Sequence, residues 1–187
     1  MPFAIPSRTS FGLRRLWPAL AVVSSLAAMA LAAPAALAKS DALVLEEYFQ
    51  GRTVGKGVFE SGIAGVRREF TVVTHGTWNP KTFTLRLRED FAYDDGERDT
   101  KVWFFQKVAA DRYIGTRSDV LNPVTIRAGG PSITFSYAAE VATGDGPVAL
   151  RFFDTLTRVD ARTVRNTADV MKYGIVVGTV DLTFRKR

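Results

Sequence analysis

The single histidine of the 187-residue chain, His75, limits the chemistry this sequence can support. A Ser-His-Asp triad or a histidine metal site would have to be assembled around it alone. There is no cysteine, so a disulfide scaffold and a zinc-thiolate site are both excluded. Residue alternation groups His75 with Thr71, Val73 and Thr77, opposite Phe70 and Val72. It therefore reads as a strand-surface histidine rather than a haem or metal ligand.

Glu89 is the more informative position. Alternation places it on one face with Phe83, Leu85, Leu87, Phe91 and Tyr93. An ionised carboxylate facing such a surface costs several kcal/mol unless it is paired or protonated. A raised pKa there would suit a general acid or a hydrogen bond to a polar ligand group. The milder reading is preferred: a β-bulge at Glu89-Asp90 turns the side chain outward, or an arginine covers it, since bulges are common near strand ends and barrel rims. Asp94-Asp95-Gly96-Glu97 holds three carboxylates within four residues. It lacks the spaced oxygen ligands of a calcium loop and reads as a hairpin turn. Gly144-Asp145-Gly146 is likewise a turn, with no following helix to bind phosphate.

The elements that must position these residues are mostly strands. Asp41 to Phe49 has apolar residues at Leu45, Tyr48 and Phe49, a helical spacing, with Asp41 as expected N-cap and Gly51 as terminator. Beyond it the pattern alternates with period two and is punctuated by turn residues, most clearly Asn79-Pro80, Asp94-Asp95-Gly96, Ala128 to Pro131 and Thr143 to Pro147. Strands are expected near 52–60, 66–78, 81–93, 98–108, 111–117, 122–128, 132–141, 147–157, 162–171 and 174–185. About ten strands joined by hairpin-length loops exceed a comfortable open sheet. The expected fold is all-β, a single antiparallel up-and-down β-barrel with a short N-terminal helix, and the alternative is a two-sheet β-sandwich. An outer-membrane barrel is disfavoured because Arg86, Arg88 and Asp90 on one strand, and Arg165 and Asp169 on another, fall on outer faces.

Residues 1–38 contain no Asp or Glu, carry Arg8, Arg14 and Arg15, and run apolar from Leu16 to Leu31 before Ala36-Leu37-Ala38. This is the pattern of a signal peptide cleaved after Ala38. Pro18 and Pro34 leave the run shorter than the roughly 20 residues a membrane-spanning helix needs. Arg14-Arg15 lacks the context of twin-arginine export, so the general secretory route and a periplasmic location are expected, with residues 39–187 as one domain. Without a cysteine no lipid anchor is expected.

The charge of +6 shrinks accordingly. Removing the three arginines leaves 22 basic against 19 acidic side chains, a charge of +3. The excess lies in 151–187, with 8 basic against 4 acidic residues. Nucleic acid is therefore not an expected partner. Arg185, Lys186 and Arg187 leave room for peripheral contact with a membrane surface.

Several segments, taken in order, carry a resemblance. They are Leu45 to Arg52, Arg67-Arg68-Glu69-Phe70, Gly76-Thr77-Trp78, Glu89 to Gly96, Arg112 to Thr116 with Asp119-Val120, Phe153-Asp154, Asn166, Met171 to Gly174 and Phe184-Arg185-Lys186. Together these resemble a bacterial family of uncharacterised envelope proteins, many described as lipoproteins of unknown function, over nearly all of 45–186. The resemblance implies a lipocalin-like barrel in the cell envelope and supplies no catalytic residues. This chain departs from it in having no lipobox cysteine, and in carrying Thr155-Leu156-Thr157-Arg158 where an aromatic-rich segment is expected.

The combined expectation is a monomeric barrel that binds a lipid or other hydrophobic or amphipathic small molecule, without catalysis, cofactor or metal. Its expected cavity-lining residues are Phe83, Glu89, Tyr93, Trp103, Phe135, Tyr137 and Asn166. The competing expectations are an envelope structural or interaction protein using its basic C-terminal end, and a small isomerase or hydrolase with Glu89 as acid or base, assisted by Tyr93 or Tyr137.

Overall fold

A computed structural model describes residues 42–143 and 146–186. The expected export signal over 1–38, the Asp41 cap, the tip of the Gly144-Asp145 turn and Arg187 lie outside those residues. A five-residue helix, α1 (Leu45–Phe49), precedes ten strands. These are β1 (Gly51–Ser61), β2 (Val66–Asn79), β3 (Thr84–Tyr93), β4 (Arg98–Ala109), β5 (Arg112–Thr116), β6 (Val124–Arg127), β7 (Ser132–Thr143), β8 (Gly146–Arg158), β9 (Thr163–Lys172) and β10 (Ile175–Lys186). Each pairs antiparallel with its sequence neighbours, and β1 pairs with β10, so the sheet closes into a barrel rather than a sandwich. Closure leaves no unpaired edge.

Turn chemistry sets the hairpins. The Asn79 side-chain oxygen accepts the Lys81 backbone N–H at 2.9 Å, an Asx turn that the Asn-Pro pair anticipates. Tyr173 and Gly174 both have positive φ, at 52° and 81°, the pair of left-handed conformations a two-residue hairpin connection requires. The β3 to β4 turn at Asp94 to Glu97 is held by Arg68, whose guanidinium bonds Asp95 at 2.6 Å and Glu97 at 2.5 Å. Those acidic residues therefore serve a turn.

The helix closes one end of the barrel. Leu43, Leu45, Tyr48 and Phe49 are all buried, each contributing roughly 1.5–3 kcal/mol by leaving water. The Tyr48 hydroxyl shares its single hydrogen between the carbonyls of Arg162 and Phe184, both at 3.1 Å, Leu43 N–H donates to Gly130, and Lys186 donates to the Glu47 carbonyl at 2.8 Å. Glu46 accepts bonds from Lys107 and Tyr113, each at 2.6 Å. Gly76 makes this seat possible: a Cβ there would stand 2.0 Å from the Phe49 carbonyl oxygen. The N-cap position of α1 is Val44, which makes no side-chain capping bond, so the helix depends on packing rather than capping.

The thinnest seam lies between β6 and β7, which pair in register only at Arg127 and Thr134. The chain between β5 and β6 reinforces it, through a bridge between Val120 and Ala139 and backbone bonds from Leu121 to Ala138 and from Glu140 to Asp119, both 2.9 Å.

Candidate functional site

Ten strands enclose more room than their side chains fill. The interior holds a cavity of about 590 Å³, reaching from Leu45 and Phe49 of α1 to the opposite rim, where Glu97, Arg98 and Ala142 are exposed. Aromatic rings form much of its wall. Tyr137 stacks on Phe152 at 5.1 Å between centroids and meets Trp103 edge-on at 5.3 Å. Phe70, Phe91 and Tyr93 form a second group nearer the rim, within 6.1 Å of one another.

A polar cluster is set into this wall. Arg117 follows directly after β5 and continues its inward parity after Tyr113 and Gly115. Its Nε lies 2.5 Å from Asp119 Oδ1, its Nη2 3.2 Å from Oδ2, and its Cζ sits 4.6 Å above the Trp103 ring. Lys101 of β4 bridges Asp99 at 3.1 Å and Asp119 at 3.0 Å. Burial opposes ionisation of Asp119, but the bonds from Arg117 and Lys101 hold its carboxyl below the usual range.

Two other carboxylates have no such cation. Asp154 of β8 is 6% exposed, and its Oδ1 accepts the Asn166 amide of β9 at 2.8 Å. Burial pushes its pKa up to about 6, against the pull of Asn166, Arg117 and Tyr137. Glu89 points into the cavity from β3, in register with Thr74 of β2 and Lys101 of β4. Burial pushes it up to about 7, the nearby Arg117 opposing and Asp154 and Asp119 adding to the rise. Burial also raises the Tyr137 hydroxyl well above its ordinary value, so it remains a hydrogen-bond donor at neutral pH.

Glu89, Tyr93, Trp103, Phe135, Tyr137 and Asn166 all lie on the cavity wall. Phe83 does not. It precedes β3 in a left-handed conformation, φ 50°, and is 56% exposed, because the turn after Asn79-Pro80 takes in Lys81, Thr82 and Phe83, three residues that the expected strand over 81–93 includes. The expected bulge at Glu89-Asp90 is absent as well. The β2 to β3 and β3 to β4 ladders run unbroken through both residues, so Glu89 keeps its inward parity. His75 is exposed on the outer face, as are Arg86, Arg88, Arg165 and Asp169. Arg117, Asp119 and Asp154 are polar cavity-wall side chains that alternation had not singled out. Parity could have found two of them, since Arg117 extends the inward row of β5 and Asp154 lies between the inward Phe152 and Leu156.

Among the described residues no group of three or more His, Asp or Glu side chains converges as a metal ion would require. Residues 20–186 match the family described as Protein of unknown function (DUF3833). The chain belongs to this family. No curated protein matches this DUF3833 chain. Among solved structures, the S-type phycobiliprotein lyase CPES from Guillardia theta is similar at 14% identity and a TM-score of 0.53, covering 78% of this chain and 94% of its own. A de novo designed fluorescence-activating β-barrel aligns at 14% identity and a TM-score of 0.41, over 78% of this chain and 100% of the design. A redesigned barrel, mFAP1, bound to DFHBI, aligns at 8% identity and a TM-score of 0.39, over 75% and 96%. The likeness to the lyase, at that identity, is one of fold.

Proposed function

We propose that the protein is a non-catalytic, monomeric carrier of a lipid or other hydrophobic or amphipathic small molecule, exported to the periplasm. The observation that carries this reading is the cavity of about 590 Å³ inside the closed barrel, plugged by α1 at one end and walled by aromatic rings. Its volume is in the range of small-molecule sites, and an apolar wall with a few convergent polar groups is their usual lining. The export component rests on the basic and apolar pattern of residues 1–38 and the Ala36-Leu37-Ala38 site.

Native mass spectrometry of protein purified from a periplasmic extract tests both parts. The expected result is a chain beginning at Lys39, of single-copy mass, carrying a bound small molecule that solvent extraction releases. A chain that always arrives empty, and that takes up no apolar probe, overturns the carrier reading.

A second reading is favoured by one observation, the position of Glu89 beside the cavity with a pKa near 7. Such a carboxyl can act as an acid or a base at neutral pH, with Tyr93 or Tyr137 assisting. Under that reading a bound molecule is recovered chemically altered, and Glu89→Gln returns it unchanged. The basic C-terminal end is less suited to a partner role, since Lys186 is already bonded to Glu47 of α1.

A further inference from the structure

In the buried part of the cavity, below the rim that carries Arg68 and Arg98, charge does not balance. The two cations of the buried cluster, Arg117 and Lys101, are taken up by Asp119 and Asp99. Glu89 and Asp154 join none of the ion pairs among the described residues. Asp154 presents a built acceptor: the carboxyl is nine-tenths buried on the cavity wall, and its Oδ2 makes no hydrogen bond of normal geometry, the neighbouring Tyr137 hydroxyl being the one donor close enough to influence it. The Asn166 side chain, whose amide N–H binds the other Asp154 oxygen, likewise leaves its own Oδ1 unpartnered. A buried acceptor without a donor costs about 1–3 kcal/mol, and more when it is charged. Two such acceptors on bonded neighbours, beside aromatic rings and a surplus of carboxylate, define what would relieve them.

We propose that the polar head of the ligand is a protonated amine, whose N–H groups meet Asp154 Oδ2 and Asn166 Oδ1 while its apolar body lies against Phe135, Phe152 and Tyr137. The inference rests on the carrier reading above and narrows it to one ligand class. A fatty-acid carboxylate is the wrong partner, since it would enter beside Glu89, Asp119 and Asp154 with both nearby cations already paired. A neutral alcohol satisfies one acceptor and leaves the charge surplus in place. The amine supplies several donors and the missing positive charge. The groups that face Asp154 are Arg117, Tyr137, Glu89 and Asn166. Asp154 titrates near 6 and Glu89 near 7, so amine binding strengthens as pH rises from 5 to 8, and by more than alcohol binding does.

The test uses the full chain with the neutral fluorescent probe N-phenyl-1-naphthylamine in the cavity, displaced in turn by dodecylamine, dodecanol and dodecanoate. Dodecylamine is expected to compete at a concentration at least about tenfold below that of dodecanol, with dodecanoate the weakest. Asp154→Asn is expected to abolish the difference between amine and alcohol, the two then competing at similar concentrations, and Asn166→Leu to reduce that difference in part; circular dichroism verifies that each variant is folded. The comparison in the unaltered protein stands even if a variant fails to fold. Equal competition by amine and alcohol, or stronger competition by the carboxylate, overturns the amine inference and leaves the carrier reading intact. Failure of the neutral probe itself to bind overturns both.

Discussion

Asp119 grips Arg117 from two residues along the chain, oxygen to nitrogen at 2.5 and 3.2 Å, and does so from the segment that closes the seam between β6 and β7. One pair thus connects the charge balance of the cavity to the integrity of the barrel wall. The backbone of Asp119 accepts the Glu140 N–H of β7 while its carboxyl faces Arg117 and Lys101.

Asp119→Asn should be destabilising out of proportion to its size. It removes the ion-pair partner of the Arg117 guanidinium, whose side chain is 10% exposed, and leaves only the more distant Glu89 and Asp154 to balance it. Removing one member of a buried pair costs about 3–5 kcal/mol. Urea denaturation is the measurement, and a change under about 1 kcal/mol would show that the pair is decorative. Arg117→Met should instead raise the Glu89 pKa further, since Arg117 is the largest influence opposing that rise. Carboxyl carbon NMR titration reads this directly.

Stability should decline from pH 5 to pH 8. Glu89 and Asp154 titrate near 7 and 6 in the folded chain, above their unfolded values of about 4.3 and 3.9. Folding binds those protons more tightly, so the stability these groups contribute is complete below about pH 4 and is lost as pH rises through 6 and 7. Asp119 and Glu46 act with the opposite sign. Burial opposes both, but bonded cations, and Tyr113 at Glu46, hold them below the usual range, so their contribution is present above about pH 4 and lost in acid. Glu89→Gln should match the native chain at pH 5 and exceed it by about 2 kcal/mol at pH 8. Melting profiles across that range decide the matter, and an unchanged slope in the variant would count against a buried, titrating Glu89.

Gly76→Ala should loosen the plug. The added methyl cannot fit 2.0 Å from the Phe49 carbonyl oxygen, so α1 must shift off β2. The expected cost is about 1–3 kcal/mol, the usual range for overpacking, with faster proteolysis within residues 42–50. Tyr48→Phe should cost about 1–2 kcal/mol through the lost bonds to Arg162 and Phe184. Denaturation and limited proteolysis should agree on both.

Ala168→Phe should separate binding from folding. Ala168 faces the cavity from β9, buried but small, and a ring at that position takes up space a ligand would use. Binding of a neutral apolar probe should weaken by about tenfold or more, while the melting temperature holds within a few degrees because the ring enters a void rather than packed atoms. Undiminished probe binding would place the ligand elsewhere.

The strand pattern was legible because alternation and turn chemistry are local. Asn79-Pro80 and Asp94 to Gly96 each specify a reversal by their own backbone preferences, and the observed strand bounds fall within a few residues of those read from the sequence. Phe83 shows where parity fails: a strand face cannot be extended through a turn whose length depends on how the next strand pairs. Glu89 shows the reverse error, since alternation alone placed it inward and the high cost of a buried carboxylate argued for a bulge that is absent.

Closure itself is the non-local decision. By itself the sequence determined ten alternating strands, an aromatic inner face and a short apolar helix ahead of them, because these follow from side-chain period and turn residues. Only the tertiary structure decided that β1 meets β10, that α1 seats on Gly76, and that Arg117, Asp119 and Asp154 share one cavity with Glu89 and Asn166. Asp154 stands 65 residues from Glu89 in the chain. No local preference records which carboxylate will find a cation once the ring of strands is closed; that depends on the pairing registers of the whole barrel, and it is what leaves Asp154 Oδ2 unmatched.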